Sequence, residues 1–223
     1  MSRASAAAFA AGYAALAGLV AAGALTSIDQ WAIDHVMPGA YFNGKSTFAD
    51  AVIPLWGVHW HGVLHIASEL VTSPASFTPA TVIVAAACVV LGRRAGVALA
   101  TAYVAGNVVE VLTKATLTRP ALYANGAHLT GFDASYPSGH TIRTMLIATA
   151  VSSAWPRAGR WTAAWAAGCV ALLVVGGQHV PSDIAGGLLL AGALVATTWS
   201  SSNAGRTSRR RPSRASRPSA RAR

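Results

Sequence analysis

Long apolar runs, broken by short polar segments, occupy most of the chain. A helix that crosses a bilayer needs about 20 mostly apolar residues. The first run, Ala4 to Leu25, meets that length behind a single Arg3. It exceeds the roughly 7–15 residues of a signal-peptide core, which favours a retained span over a cleaved leader. Residues 26–50 are polar and irregular, with Asp29, Asp34, Pro38 and Gly39, and predict an external loop. Residues 51–72 are apolar but hold Pro54, Gly57, three histidines and Glu69, a pattern that suits an interfacial or re-entrant helix. Five further spans are predicted: Phe77 to Leu91, Val97 to Leu112, Gly139 to Trp155, Trp161 to Gly176 and Ile184 to Trp199. The predicted fold is an all-α, polytopic membrane bundle of about six transmembrane helices.

Composition agrees with that reading. The chain is 53% hydrophobic and 11% charged, whereas soluble domains carry about 25% charged residues. The net charge of +10 comes mostly from eight arginines between Arg206 and Arg223. That Ser/Arg/Pro/Ala segment has no apolar periodicity, so residues 201–223 predict a disordered tail after a membrane-embedded domain of residues 1–200. Its charge suits anionic lipid headgroups, or serves only as a topology signal. No nucleic-acid partner is expected, because no recognition fold or aromatic platform accompanies the charge. Arg3, Arg93, Arg94, Arg157, Arg160 and the tail fall on one side of a six-span arrangement. The positive-inside rule makes that side, and both termini, cytoplasmic. Cys88 and Cys169 lie inside predicted spans and read as apolar packing residues.

Three polar segments then fall together on the outer side: Lys114 to Pro120, Tyr136-Pro137-Ser138-Gly139-His140, and His179-Val180-Pro181-Ser182-Asp183. They offer two histidines, a carboxylate, a glycine turn and two cations, an inventory for phosphoryl transfer through a histidine nucleophile. Ionisable groups at span ends are expensive without a task.

A lysine followed by Arg-Pro, then Pro-Ser-Gly-His, then a histidine four residues before an aspartate resembles the type 2 phosphatidic acid phosphatase family, the membrane lipid phosphate phosphatases. The resemblance covers most of residues 1–200. It implies a phosphohistidine mechanism without metal or other cofactor. In that mechanism His179 attacks phosphorus, Asp183 orients and stabilises its imidazole, and His140 acts as acid and then base. Lys114, Arg119, Ser138 and Gly139 would bind phosphate, helped by the free N–H groups and dipole of a helix start. The implied substrate is a lipid phosphomonoester or diphosphate of the polyprenyl diphosphate, phosphatidate or phosphatidylglycerophosphate class. The implied place is the cell membrane, with the site on the extracytoplasmic side. A phosphotransferase using the same intermediate, and a non-catalytic lipid-phosphate binder or transporter, are the alternatives.

The chain departs from the family pattern at three places. Four residues rather than six separate Lys114 from Arg119, Ala121 stands where many members repeat arginine, and Leu172-Leu173 replaces the third motif's Ser-Arg. Arg143, one helical turn after His140, is expected to replace the missing third-motif arginine, the alternatives being a pair with Glu110 or snorkelling. Glu110, one turn before Lys114, is expected to position it. His61, His65 and Glu69, with His59 nearby, have a metal-like spacing of four. A headgroup-facing or packing role is preferred there, because the family's shared motif has no such element. His128 and Asp133 lie in the external loop as possible substrate contacts, and Gly186-Gly187 permits close helix packing.

Overall fold

The structure is a computed structural model that describes residues 2–37 and 60–207. Seven α-helices are present among the described residues: α1 (Arg3–Ala21), α2 (Thr26–His35), α3 (Trp60–Thr72), α4 (Phe77–Thr116), α5 (Gly139–Ala154), α6 (Gly159–Val175) and α7 (Pro181–Thr207). A small hairpin, β1 (Tyr123–Ala124) and β2 (Ala127–His128), lies between α4 and α5. Among the described residues, four helical segments are long and apolar enough to cross a membrane: those beginning at Arg3, Phe77, Pro156 and Pro181.

The two spans expected from Phe77 to Leu112 form one element folded at Gly92, where φ is 76° and ψ is 170°. Only glycine adopts that backbone readily. The two arms of α4 return against each other. Thr81 and Tyr103 hydroxyls meet at 2.8 Å, and Cys88 Sγ donates to the Gly96 carbonyl at 3.2 Å. Cys169 Sγ likewise donates to the Val71 carbonyl at 3.3 Å, and both thiols are free.

Helix α7 is central, packing against α1, α4 and α5. Its side chains contact α1 in antiparallel order: Leu189 covers Gly12, and the Phe9 ring covers Gly192. Gly186 faces the Tyr136 ring, and Gly187 faces the Ser138 carbonyl and Thr141. The glycine pair thus permits close packing within the chain. A Cβ on Gly186 would lie 2.4 Å from the Tyr136 ring.

One apolar core joins Leu99, Ile142, Leu146 and Leu190 from α4, α5 and α7. A second joins Ile33, Met37, Leu122, Leu129, Phe132 and Val180 at the other end of α7 from Thr207. Val97, Val104, Val108 and Val111 point outward from α4, the surface expected to meet lipid.

One expectation requires correction. Residues 26–35, expected in an irregular loop, form α2. Asp29, Ala32 and Ile33 share its buried face, an i, i+3, i+4 pattern too short to stand out from its polar flanks. The backbone of α7 stays helical to Thr207. The expected helix within 51–72 is present from Trp60 as α3, while residues 51–59 lie outside the described residues. Helix α3 lies along α6, where Ser68 Oγ donates to the Leu172 carbonyl at 3.1 Å and Trp165 Nε1 to the Val71 carbonyl at 3.1 Å.

Candidate active site

The turn from α6 to α7 places His179. Gly177 has a positive φ of 70°, and the His179 N–H returns to the Leu173 carbonyl at 3.0 Å. Pro181 then starts α7, a favourable first position because its missing N–H has no helical partner to lose. His179 and Asp183 come together across that start. Asp183 Oδ2 lies 3.2 Å from His179 Nδ1, so Nδ1–H donates to the carboxylate and Nε2 remains available. Asp183 is fully buried, and His179 nearly so.

The other oxygen of Asp183 accepts from Arg119 NH1 at 3.0 Å. The Nη2 group of Arg119 donates to the carboxylate of Asp29 and to Ser182 Oγ, the latter at 3.3 Å. Asp29 Oδ1 also accepts from the Ser182 N–H at 3.0 Å, and its Oδ2 accepts from the Ser182 hydroxyl at 2.7 Å. The guanidinium thus bridges two buried carboxylates, a tighter arrangement than an open phosphate ligand would have.

Helix α5 supplies the opposite wall. Ser138, its N-cap, is fully buried and accepts from the Thr141 N–H at 3.2 Å. Thr141 Oγ1 donates to the same Oγ at 3.0 Å. Its role in the structure is therefore to cap the helix, which satisfies an otherwise free donor. The Ser138 N–H donates to the Asp183 carbonyl at 3.0 Å, tying the second and third motifs together through backbone. The His140 and His179 rings face each other with centroids 6.3 Å apart. Ser76 Oγ lies 3.5 Å from His140 Nε2.

Behind His140 lies a second ion cluster. Arg143 pairs with Glu110, the alternative to a freely presented guanidinium, at 2.8 Å. It also donates to Asn107 Oδ1 at 2.8 Å and to the Ala75 carbonyl at 2.7 Å. Lys114 Nζ meets the other Glu110 oxygen at 2.7 Å, as the spacing of four residues predicted. The Glu110 carboxylate fills the space beside Gly139, where a Cβ would lie 1.9 Å from Oε1. Glycine at 139 is therefore required by close approach, independently of any φ argument.

Tyr136 packs under this wall and stacks on Tyr13, with centroids 5.9 Å apart. Burial, the Tyr13 phenol and the Asp183 carboxylate push its phenol above the ordinary value. It remains a neutral donor, bonded to the Tyr13 carbonyl at 3.3 Å.

The fold thus brings His140, His179, Asp183, Arg119, Ser138 and Gly139 together, with Lys114 and Arg143 joined through Glu110. His128 and Asp133 pair with each other at 2.9 Å on an exposed part of the loop. Glu69 accepts from Gln178 Nε2 at 2.9 Å. His59 and the side chains of His61 and His65 lie outside the described residues. Sequence reasoning gave no role to Asp29, Ser182 or Asn107. The only available signal for Asp29 was its register with Ala32 and Ile33.

Residues 91–206 match the model of the PAP2 superfamily. No curated protein matches the sequence. Among solved structures, the fold is similar to the crystal structure of a transmembrane PAP2-type phosphatidylglycerolphosphate phosphatase from Bacillus subtilis. The two share 15% sequence identity and a TM-score of 0.59, over 90% of this chain and 96% of that one.

Proposed function

The chain belongs to the PAP2 superfamily, and we propose that it is an integral membrane lipid phosphatase working through a phosphohistidine. The observation that carries this reading is the His179–Asp183 pair at 3.2 Å, facing His140 across the start of α5. His179 Nε2 attacks phosphorus, forming the N–P bond as the P–O bond to the lipid breaks. His140 gives its proton to the departing oxygen. It then takes a proton from water, which attacks the phosphohistidine and releases phosphate. Asp183 keeps the proton on Nδ1 and stabilises the imidazole as it becomes cationic.

The start of α5 receives the phosphate, with N–H groups at Gly139 and His140 and the helix dipole favouring the anion. Lys114 and Arg143 neutralise its charge from one side, with Glu110 holding both cations in place. Arg119 contributes through Asp183, to which it is bonded. Ser138 contributes by holding the helix start.

The substrate class is a lipid phosphomonoester or diphosphate, among them polyprenyl diphosphates, phosphatidate and phosphatidylglycerophosphate. The activity of the Bacillus subtilis protein favours the last. The lipid enters sideways between helices with its headgroup at span-end level. Six spans place both termini and the arginine tail in the cytoplasm, where the tail attaches to anionic lipids, and the site lies on the extracytoplasmic side of the cell membrane. The catalytic domain is residues 1–200, with residues 201–223 as its tail.

The test is phosphate release by detergent-purified protein from a panel of lipid mono- and diphosphates, with chelator present, beside His179→Ala. Turnover that resists chelator and vanishes in the variant is the expected result. No turnover on any lipid phosphate would overturn the reading.

A further inference from the structure

We infer that Asp29 of α2 is a positioning residue for the nucleophile His179, acting through Arg119 and Asp183. The inference rests on the phosphatase reading for its catalytic meaning, although the geometry behind it stands alone. Asp29 lies outside the residues matched to the family, 91–206.

Asp29 is completely shielded from solvent. A carboxylate so placed is costly unless several donors reach it. Three do: the Ser182 N–H, the Ser182 hydroxyl and Arg119. Two of these belong to the first turn of α7, so Asp29 caps that helix from another element. The third donor is the guanidinium whose other arm holds Asp183. One carboxylate therefore fixes both the helix start that carries Asp183 and the cation that orients it. The connected path runs Asp29, Arg119, Asp183, His179.

Charge adds a second argument. Around Arg119 two carboxylates oppose one guanidinium. The cluster carries an excess negative charge on the Nδ1 side of His179, the side from which a phosphorylated, cationic imidazole is stabilised. Asp183 and Arg119 alone would leave no excess. Docking of α2 by itself requires no charge at residue 29, because Ala32, Ile33 and Met37 already bury an apolar face there.

The experiment compares wild type, Asp29→Asn and Ile33→Ala as full-length protein in detergent. The first readout needs no substrate: the downfield Nδ1–H proton of His179 in NMR spectra of histidine-labelled protein, assigned by its loss in His179→Ala. In Asp29→Asn the resonance is expected to move upfield or disappear into solvent exchange. Ile33→Ala, which loosens α2 without changing charge, is expected to lower the thermal midpoint and leave the resonance in place. An unmoved resonance in Asp29→Asn, or an equal change in Ile33→Ala, would overturn the inference.

The second readout is turnover of the lipid phosphate that the wild type hydrolyses. Asp29→Asn is expected to lower kcat about 10–100-fold, the range for losing bonds to a charged group, with KM changed little. A kcat that falls only as far as the folded fraction does would also sink the proposal. If Asp29→Asn fails to fold, Asp29→Ser, smaller, neutral and still able to accept from the Ser182 N–H, gives the same test. Absence of wild-type turnover would defeat the phosphatase reading, while the resonance still decides the role of Asp29.

Discussion

Two ion clusters flank the facing histidines, one buried and one reaching the surface through Lys114, and they carry opposite excess charge. Beneath His179, Asp29 and Asp183 surround Arg119, an excess of one negative charge. Behind His140, Lys114 and Arg143 surround Glu110, an excess of one positive charge. The proposed chemistry needs both signs. A phosphorylated imidazole is cationic, and the phosphate before it is anionic. Each cluster also contains an opposite charge that prevents burying an unpaired ion, whose cost would be several kcal/mol. In the proposed mechanism the two walls divide a task that neither sign of charge could perform alone.

The largest expected effect comes from breaking the negative wall at its centre. Asp183→Asn removes the acceptor for His179 Nδ1–H and one partner of Arg119. Turnover is expected to fall about a thousandfold or more, by analogy with other carboxylate-oriented histidines, as measured by initial rates of phosphate release. A loss under tenfold would mean that Asp183 does not set the histidine's tautomer.

Breaking the positive wall is expected to act first on folding. Arg143→Ala leaves Glu110 without one cation and deprives Asn107 and the Ala75 carbonyl of a donor. The expected destabilisation is about 3–5 kcal/mol, seen as a lower thermal midpoint in detergent. Arg143→Lys keeps the charge but not the fork, so it should recover part of the loss in substrate affinity and little of the stability. Full recovery of stability by lysine would show that charge alone matters at 143.

Gly139→Ala tests how closely the positive cluster approaches the helix that receives phosphate. The added Cβ must displace the Glu110 carboxylate, and the expected cost is about 1–3 kcal/mol of stability, with weaker inhibition by inorganic phosphate. Gly168→Ala on α6, where no atom lies within 4 Å, is the control and should be neutral or slightly stabilising. Equal effects at the two glycines would remove the steric argument.

The smallest effect sharpens the comparison of sign. Glu110→Gln deletes the negative member of the positive wall, so a stability loss comparable to that of Arg143→Ala is expected, and the smaller effect is read on phosphate binding by the folded fraction. Competitive inhibition by inorganic phosphate is expected to tighten about three- to tenfold, whereas Asp29→Asn across the site should slow turnover instead. The same direction of change in both variants would mean that the two clusters do not have separate roles.

Much of this architecture was legible in the sequence because its causes are local. Span length and apolar runs predicted the helices, and Arg93 and Arg94 marked the end of the first arm of α4. The i, i+4 spacing anticipated Glu110–Lys114, and the family resemblance implied His179–Asp183. Helix α2 was missed because it is only 10 residues long, and its short buried face was lost in a polar stretch. Tertiary structure alone decided which long-range pairs of cation and carboxylate form. Arg119 lies 90 residues from Asp29 and 64 from Asp183, and Arg143 lies 33 from Glu110. No periodicity spans such separations. Packing of α7 against its neighbours determines which groups are buried together, and once water is excluded each buried charge must be matched by the partners that the fold has placed within reach.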